Sequence, residues 1–229
     1  MRQRRPKNLE EKIEELSVYL VETPACIKGM WRSVYSLSEP SDIKTGALGN
    51  QGEKLFLEIG SGKGRFLTEL ALRNPEDFFL GFEVQRTVII RALEKIRDND
   101  LNNIRMCACK VEDIGSLFSE DELDGIYLNF IDPWPKDRHE KRRLTSKRYL
   151  DGYALSLKPG GFIRLKTDND ELFCYSVRQM ESHKEFEITE MSDDLHDSEY
   201  NEDNIMTEYE SKFSDIHEKI NYICANLIE

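Results

Sequence analysis

Three glycines separated by single residues follow the first strand-like run of the sequence. The segment EIGSGKG contains Gly60, Gly62 and Gly64 and runs directly into a helix-like stretch. Glycine permits a tight turn in which the backbone comes close to a bound ligand. The loop therefore predicts a nucleotide-like cofactor, although dinucleotide dehydrogenases and purely structural turns also use such glycines.

Two glutamates narrow the kind of cofactor. Glu58 precedes the glycines, and Glu83 ends the second strand-like run, 25 residues later. In a doubly wound fold, a carboxylate at the end of the second strand lies beside the ribose and accepts hydrogen bonds from its hydroxyls. An acid before the loop suits the positively charged amino-acid end of S-adenosylmethionine better than the pyrophosphate of NAD.

The pattern E-x-G-x-G-x-G, with an acid closing the second strand, resembles that of the class I methyltransferases. This resemblance implies that the end of the third strand flanks the adenine. The sequence there is CACKVEDI, with Lys110 where many members of that class carry an acid. The Val111 backbone and Glu112 are the adenine contacts that the resemblance implies.

The loop after the fourth strand-like run joins a rigid turn to a cluster of cations. In DPWP, at 132–135, each proline fixes its own φ and restricts the residue before it, so the turn holds a carboxylate and an indole in place. Residues 136–148 contain seven Lys or Arg and two acids, a local charge of +5 in a chain of net charge −12. Such a patch attracts phosphates, so this loop predicts contact with a nucleic acid.

Negative charge is concentrated elsewhere in the chain. Residues 190–203 hold seven carboxylates and no Lys or Arg. We interpret this segment as a solvated loop, although its position just before the TEYE motif at 207–210 also permits a lid over the base.

Three motifs in this order resemble those of the bacterial tRNA (guanine-N7)-methyltransferase family: DPWPKDRHEKRRL, KTDN and NIMTEYESKF. The similarity extends from about Lys54 to Phe213. It implies transfer of a methyl group from S-adenosylmethionine to N7 of a guanine in the variable loop of tRNA. tRNA is the implied partner, and the implied assembly is a monomer or a homodimer.

The residue arguments and the resemblance together assign individual sites. Asp132 is the expected catalytic residue, in contact with both cofactor and base. S-adenosylmethionine is assigned to Glu58, Gly60, Gly62, Glu83, Val111, Glu112 and Asp132. The substrate is assigned to Lys136, Asp168, Thr207, Glu208, Tyr209 and Glu210, and the RNA to Arg138, His139, Lys141, Arg142 and Arg143.

The chemistry of guanine N7 is consistent with these assignments. Its in-plane lone pair attacks the sulfonium methyl without prior deprotonation, so no strong general base is needed and positioning should dominate. The methylated base gains positive charge, which a carboxylate such as Asp132 stabilises in the transition state. Asp168 or Glu210 can accept hydrogen bonds from the Watson–Crick edge, which distinguishes guanine from adenine.

Three other functions remain open at this point. DPWP is also similar to the motif of amino-methylating enzymes, in which an acid or Asn before Pro and an aromatic residue engages an exocyclic amine. An RNA-binding protein with a vestigial cofactor fold is a non-catalytic alternative. A dehydrogenase is disfavoured by the acid before the glycines and by the lack of a recognisable catalytic His, Tyr or Lys.

Alternating strands and helices must position these residues. Strand-like runs lie at 54–59, 78–83, 104–109, 123–131, 161–167, 186–190 and 217–224. Helix-like runs lie at 8–20, 64–73, 85–98, 146–157, 170–182 and 207–213. Repeated βα units predict an α/β fold: a doubly wound, mostly parallel, seven-stranded Rossmann-like sheet with helices on both faces. We expect a basic tail, helix and linker at 1–53 and the methyltransferase domain at 54–229.

Composition limits the remaining possibilities. With 229 residues, of which 39% are hydrophobic and 33% charged, the chain suits one α/β domain with a charged surface. No apolar run approaches the roughly 18 residues of a membrane span, and the N-terminus lacks the apolar centre of a signal peptide. The five cysteines are scattered without CxxC pairs, so we expect no metal site and a cytoplasmic protein.

Overall fold

The predicted alternation of strands and helices is present in the structure, a computed structural model that describes residues 8–36, 54–213 and 219–228. The strands described are β1 (Leu55–Ile59), β2 (Phe78–Phe82), β3 (Ile104–Cys107), β4 (Leu123–Asn129), β5 (Leu157–Thr167), β6 (Phe186–Ser192) and β7 (Asn221–Leu227). The α-helices described are α1 (Leu9–Glu15), α2 (Arg65–Arg73), α3 (Arg86–Asp98), α4 (Lys147–Ser156), α5 (Asp170–Ser182) and α6 (Glu210–Phe213).

The chain divides into two units, Met1–Val111 and Glu112–Glu229. The first contains the parallel strands in the order β3-β2-β1, and the second has the order β4-β5-β7-β6. The predicted Rossmann-like α/β fold is confirmed. The predicted basic tail, most of the predicted linker and the domain boundary at residue 53 lie outside the described residues, so that division stays a prediction.

The strands of the first unit are buried along their length. Every residue of β1 and β3 is buried, and the register of β1 on β2 runs from Leu55 opposite Phe78 to Ile59 opposite Phe82. Continuous burial is typical of parallel strands that are covered on both faces. The ends of β1 and β2 are therefore held side by side, where the glycine loop begins.

The N-terminal helix is shorter than predicted. α1 ends at Glu15 and a 3-10 turn follows, because Leu16 leaves the helical conformation with φ −103° and ψ 15°. The apolar positions that predicted the helix are nevertheless buried, and Leu20 forms a parallel bridge with Met106 of β3. The end of the helix lets the chain turn along the edge of the first unit, so these residues belong to its core.

All four strands of the second unit differ from the predicted bounds: β6 extends two residues further, to Ser192, and β7 spans Asn221–Leu227 in place of 217–224. β4 ends at Asn129, not at residue 131, because Phe130 has φ +50° and cannot continue the strand. β5 begins at Leu157, four residues before the predicted start, with φ +74° at Gly160 and a register irregularity opposite the start of β4. Antiparallel β7 pairs with both β5 and β6, so this part of the sheet is mixed.

The acidic segment at 190–203 is more ordered than a solvated loop. β6 continues to Ser192, and two 3-10 turns follow at Leu195–Asp197 and Glu199–Asn201. Leu195 is 1% exposed and packs in a buried cluster with side chains of β7. The interpretation as a solvated loop is therefore wrong at Leu195, since an apolar residue within the acidic run fixes the segment to the sheet. No helix among the described residues could cross a membrane.

We predict that Ile13→Ala lowers the free energy of unfolding by about 3 kcal/mol, because it removes buried methyl groups and leaves a cavity. Ile13 is 4% exposed, whereas Val18 in the following turn is 38% exposed. Val18→Ala is the matched control and should change the free energy by less than about 0.5 kcal/mol. Urea unfolding measures both. Equal unfolding midpoints for Ile13→Ala and the unsubstituted protein would show that α1 does not contribute to the core.

Candidate functional site

The glycine loop connects β1 to α2, and its three glycines all have left-handed backbones. Their φ values are +83° at Gly60, +56° at Gly62 and +75° at Gly64, a region that favours glycine. A Cβ added at Gly64 would lie 2.7 Å from Cβ of Ala92 in α3, whereas one at Gly60 or Gly62 would meet nothing within 4 Å. Gly64 thus permits close helix packing, while the other two leave space beside the backbone for a ligand.

Glu83 ties the end of β2 to this loop. The Gly62 N–H donates to Glu83 Oε2 at 3.1 Å, and the Gln85 N–H donates to Oε1 at 2.8 Å. The Gly60 N–H donates to the Phe82 carbonyl at 2.8 Å, which joins the two strand ends directly. Each carboxylate oxygen has two acceptor positions, so these bonds leave capacity for the hydroxyls of a nucleoside.

The start of the loop contains polar groups that fit a charged ligand. Glu58 in β1 is 2% exposed, and a buried carboxylate needs a cation or several donors nearby. Ser61 is 6% exposed, and its buried Oγ has no hydrogen-bond partner within the part of the chain that the structure describes. Sequence reasoning missed Ser61, although its place between Gly60 and Gly62 was a usable signal. The acid, the hydroxyl and the open glycines fit the amino-acid and ribose parts of S-adenosylmethionine.

The segment after β3 is divided between the two units. Val111 is 2% exposed and ends the first unit. Glu112 begins the second unit and is exposed, and its backbone carbonyl accepts from Arg148 Nη2 at 2.7 Å. The assignment of these two residues to adenine stays a prediction.

The loop after β4 presents Asp132 on a constrained backbone. Phe130 and Trp134 have φ values of +50° and +44°, and Asp132 lies exposed between them. A left-handed conformation in a residue with a side chain costs about 1–2 kcal/mol and persists only where neighbouring contacts hold it. The carboxylate therefore projects from a turn that the rest of the unit must stabilise.

The cations that follow this turn do not share one environment. Lys136, Arg138 and Lys141 are exposed on or beside the 3-10 helix Asp137–Arg142. The Arg142 guanidinium lies 4.9 Å from the centre of the Trp134 indole ring, a cation–π distance. These four side chains could meet phosphates without leaving the loop. Arg143 is instead partly buried and bonded within the protein.

His139 packs edge-on against the Trp134 ring at 5.6 Å. Partial desolvation lowers the pKa of His139, and the neighbouring cations Arg142, Arg138 and Lys136 lower it further. The imidazole is therefore mainly neutral at pH 7 and adds little charge to the cationic loop.

Asp168 and Tyr209 lie together, although 41 positions separate them. The Tyr209 hydroxyl donates to Asp168 Oδ2 at 2.8 Å. The Tyr209 ring lies 4.8 Å from that of Phe130, which follows β4. The structure thus brings two of the sequence-predicted substrate residues to the loop that contains Asp132.

Glu210 has a different environment from these exposed groups. Its carboxylate is 0% exposed, and both of its oxygens have hydrogen-bond partners within the unit. Oε2 accepts from Lys166 Nζ at 2.8 Å and from the Thr207 N–H at 3.2 Å. Oε1 accepts from Asn204 Nδ2 at 2.8 Å and lies 2.9 Å from His196 Nε2. Burial alone would raise the pKa of Glu210, but the Lys166 ammonium and these hydrogen bonds lower it.

The remaining members of the TEYE motif differ in exposure. Thr207 is 7% exposed, and its hydroxyl accepts from the Glu210 N–H at 3.0 Å. Glu208 is partly exposed and Tyr209 is exposed. Two of the four residues assigned to substrate are thus buried within the protein, and the other two reach its surface.

Comparison with known proteins decides the family. A family model described as "Putative methyltransferase" matches residues 52–223. A tRNA (guanine-N(7)-)-methyltransferase from Streptococcus mutans is 40% identical over 214 residues, covering 93% of this chain and 94% of the relative. Another, from Lachnoclostridium phytofermentans, is 40% identical over 207 residues and 90% of each chain. The chain belongs to the tRNA (guanine-N7)-methyltransferase family.

The fold agrees with this family membership. An rRNA methylase from Streptococcus thermophilus superimposes with a TM-score of 0.54 at 12% identity, covering 77% of this chain and 88% of that chain. At this identity the likeness shows a shared methyltransferase fold alone. The family and the enzyme class predicted from the sequence are confirmed. The roles of single residues stay predictions.

Alanine substitutions test the two roles of the loop glycines, which are helix packing at Gly64 and ligand space at Gly60. Gly60→Ala and Gly64→Ala both place a side chain at positive φ, which costs about 1–2 kcal/mol of stability. Gly64→Ala should cost about 1–3 kcal/mol more, because its methyl group would overlap Ala92. Gly60→Ala should instead weaken S-adenosylmethionine binding about 10-fold or more, since its methyl group takes ligand space. Urea unfolding and titration calorimetry separate these effects, and unchanged affinity in Gly60→Ala would contradict this view of the loop.

Lys166→Met tests the buried ion pair. It leaves the Glu210 carboxylate buried without its cation and should lower the free energy of unfolding by about 3–5 kcal/mol near neutral pH. Lys147 forms an exposed pair with Asp151 at 2.6 Å, so Lys147→Met is the control and should cost less than about 1 kcal/mol. Similar losses in the two variants would show that burial of the Lys166 pair is unimportant.

The same pair predicts a pH dependence of stability. Because folding lowers the pKa of Glu210, its ionisation stabilises the native state above the carboxyl's unfolded pKa. That contribution is lost as the pH falls through the lower, folded pKa. Without the ammonium the folded pKa rises, so a fall in pH should cost Lys166→Met less stability than it costs the unsubstituted protein, and the stability difference between the two should shift toward zero. Urea unfolding across a pH series measures this shift, and parallel pH profiles would contradict it.

Proposed function

We propose that this chain transfers the methyl group of S-adenosylmethionine to N7 of a guanine in the variable loop of tRNA. The observation that carries the proposal is the 40% identity with a tRNA (guanine-N(7)-)-methyltransferase over 93% of the chain. The methyl donor of the family is S-adenosylmethionine, which supplies a methyl group on a positively charged sulfur. The geometry of each unit supports a part of this reaction.

The first unit supplies the groups that suit the methyl donor. Gly60 and Gly62 let the ligand approach the backbone, and Glu83 is oriented to accept from the ribose hydroxyls. Glu58, buried before the loop, balances the ammonium of the amino-acid end. Ser61 offers a hydroxyl to the same end. These five positions bind and orient the donor without taking part in bond making.

Asp132 supports the chemical step through its charge. Guanine N7 needs no base, because its lone pair lies in the plane of the ring and is available for attack. The base becomes positively charged as the new bond forms, so a carboxylate beside it stabilises the transition state more than the ground state. A constrained turn keeps Asp132 oriented before substrate arrives, which avoids reorganisation during the reaction.

Asp168 is the better candidate to recognise the guanine edge. The sequence left Asp168 and Glu210 as alternatives, but Glu210 is 0% exposed and both its oxygens already accept hydrogen bonds. Asp168 is partly exposed and already accepts one hydroxyl donor, from Tyr209. A carboxylate there accepts from guanine N1–H and N2–H, whereas adenine presents an acceptor at N1. Thr207 and Glu210 then hold the exposed part of the TEYE motif in place.

The exposed cations of the loop suit the tRNA backbone. Lys136, Arg138 and Lys141 extend into solvent close to Asp132 in sequence. Their local positive charge stands against a net charge of −12, so phosphate is attracted here and repelled elsewhere. This arrangement orients the RNA toward the catalytic turn.

Asp132→Asn provides the test of this function, because it preserves shape and removes charge. We expect kcat to fall about 100-fold or more, with S-adenosylmethionine affinity within about threefold of the unsubstituted protein. Asp137→Asn, an exposed carboxylate in the following 3-10 helix, is the matched control and should retain turnover. The measurement uses methyl-labelled donor and unmodified tRNA, followed by reduction and aniline cleavage, which cuts at N7-methylguanosine.

Each result of that assay has a distinct meaning. Cleavage at one variable-loop guanine, lost in Asp132→Asn, supports the reaction, the substrate and the residue together. Label without aniline cleavage moves the reaction to another base atom. Donor binding without any label favours the non-catalytic RNA-binding alternative, and near-normal turnover in Asp132→Asn contradicts the role of that residue.

A further inference from the structure

Arg143 points its guanidinium at the backbone of the catalytic turn. Its Nε and Nη2 donate to the Trp134 carbonyl at 3.2 and 3.1 Å, so one acceptor receives two hydrogen bonds. Trp134 lies two residues after Asp132, and its carbonyl precedes Pro135. The pair of bonds therefore fixes the peptide group that closes the DPWP turn.

The Trp134 backbone needs such support. Its φ is +44°, in the left-handed region that side chains disfavour. It also precedes a proline, a position that favours extended φ values near −120°. Neither property of the local sequence stabilises this conformation, so contacts from outside the turn must do so.

Tyr175 of α5 holds the Arg143 side chain from the other side. The Arg143 Cζ lies 4.3 Å from the centre of the Tyr175 ring, which is the geometry of a guanidinium stacked on an aromatic face. The Tyr175 hydroxyl donates to Glu140 Oε1 at 3.0 Å, and Tyr175 is 6% exposed. Burial, together with the hydrogen bond to Glu140, raises the pKa of Tyr175 to about 12, so the phenol stays protonated as a donor.

Arg143 thus differs from its cationic neighbours. Lys136, Arg138 and Lys141 are exposed, whereas Arg143 is partly buried between α5 and the turn. The resemblance to the family places Arg143 with the RNA contacts, but two of its five N–H donors already meet a backbone carbonyl. The cations of this loop therefore divide into exposed side chains that can reach phosphates and one, Arg143, that is bonded within the protein.

We propose that Arg143 is a positioning residue of the catalytic turn, acting through the Trp134 carbonyl on Asp132, with Tyr175 and Glu140 as its support. This inference rests on the proposed function, because Asp132 acts on the guanine. Lysine keeps the positive charge of arginine but has neither the planar fork for one carbonyl nor the flat surface that stacks on Tyr175. The substitution Arg143→Lys consequently separates positioning from electrostatic attraction.

The experiment compares kcat, KM for tRNA and the salt dependence of tRNA binding. Arg143→Lys should lower kcat about 30-fold, with KM within about twofold and an unchanged salt slope, because a displaced carboxylate slows the chemical step. Lys141→Gln provides the contrast: KM should rise, and the slope of log affinity against log salt should fall by about one phosphate contact. Arg73→Lys, an exposed guanidinium paired with Glu69 on α2, is the matched neutral substitution.

Tyr175 supplies a second set of variants in case Arg143→Lys unfolds. Tyr175→Leu removes the stacking surface and should lower kcat in the same direction, while Tyr175→Phe keeps the ring and should lower it less. The loss in the double variant Tyr175→Leu with Arg143→Lys should be smaller than the two single losses combined, since both act on one contact. Thermal unfolding of each variant tests whether the fold is retained.

A fluorescence readout keeps the inference separate from the proposed function. Trp31→Phe leaves Trp134 as the one tryptophan, since the chain has two. In that background, Arg143→Lys should increase iodide quenching of Trp134 if the turn is released. No N7-methylguanosine from the unsubstituted protein would refute the proposed function, and the quenching result would still decide on positioning.

Two outcomes would overturn the inference. Unchanged kcat and unchanged quenching in Arg143→Lys would show that the turn holds itself. A raised KM with unchanged kcat in Arg143→Lys, and a reduced salt slope in Arg143→Gln that matches Lys141→Gln, would assign Arg143 to the RNA instead.

Discussion

The part of the second unit that contains Asp168 and Tyr209 depends on a buried ion pair. Lys166 in β5 and Glu210 in α6 are 4% and 0% exposed, and their charged atoms lie 2.8 Å apart. Charges removed from water are tolerated only when partners meet nearly all of their hydrogen-bonding capacity. Here those partners come from the segment between β6 and α6, so the pair forces this acidic stretch to fold against β5. Asp168 follows Lys166 by two residues, and Tyr209 directly precedes Glu210. The ion pair therefore brings the Tyr209 hydroxyl to the Asp168 carboxylate.

The DPWP turn is stabilised in a different way. Its backbone receives two hydrogen bonds from Arg143, whose guanidinium stacks on the Tyr175 ring. As a consequence, a count of cations over 136–148 overstates what is available to phosphate. Arg143 contributes to that count, but its guanidinium is bonded to the Trp134 carbonyl and stacked on Tyr175 within the protein. The charge counted over a sequence segment is therefore an upper limit on the charge that phosphates can reach, because some of the side chains are bonded within the protein.

Much of the fold could be predicted because its signals are local. Hydrophobic runs of the right length, interrupted by glycines and polar turns, located all seven strands to within a few residues. The glycine loop and the carboxylate at Glu83 followed from the same pattern. The end of α1 and the early end of β4 could not be predicted, since they depend on single residues, Leu16 and Phe130, that leave regular conformations for tertiary reasons.

The site was harder to predict where roles depend on distant partners. Glu210 and Lys166 lie 44 positions apart, and the sequence around each does not indicate that the side chain is buried. Arg143 directly follows Lys141 and Arg142, and its contacts with the Trp134 carbonyl and with Tyr175, 32 positions later, set it apart from them. The turn that contains Asp132, by contrast, was predictable because two prolines define it within four residues, whereas the catalytic role of Asp132 stays a prediction. Short-range geometry can be read from a sequence, whereas the choice between a surface role and a buried role requires the folded chain.

The two backbone N–H groups that hold Glu83 also bear on molecular recognition in the first unit. An unrestrained glutamate loses up to about 2 kcal/mol of side-chain rotational freedom when a ligand immobilises it. At Glu83 the peptide groups of Gly62 and Gln85 impose that restriction during folding, before any nucleoside arrives. Entropy lost in this way would not oppose ligand association, and an incoming diol would meet acceptors whose direction is already set. Selectivity for a ribose over a deoxyribose would then arise from a rigid carboxylate that cannot turn to follow a ligand with one hydroxyl missing.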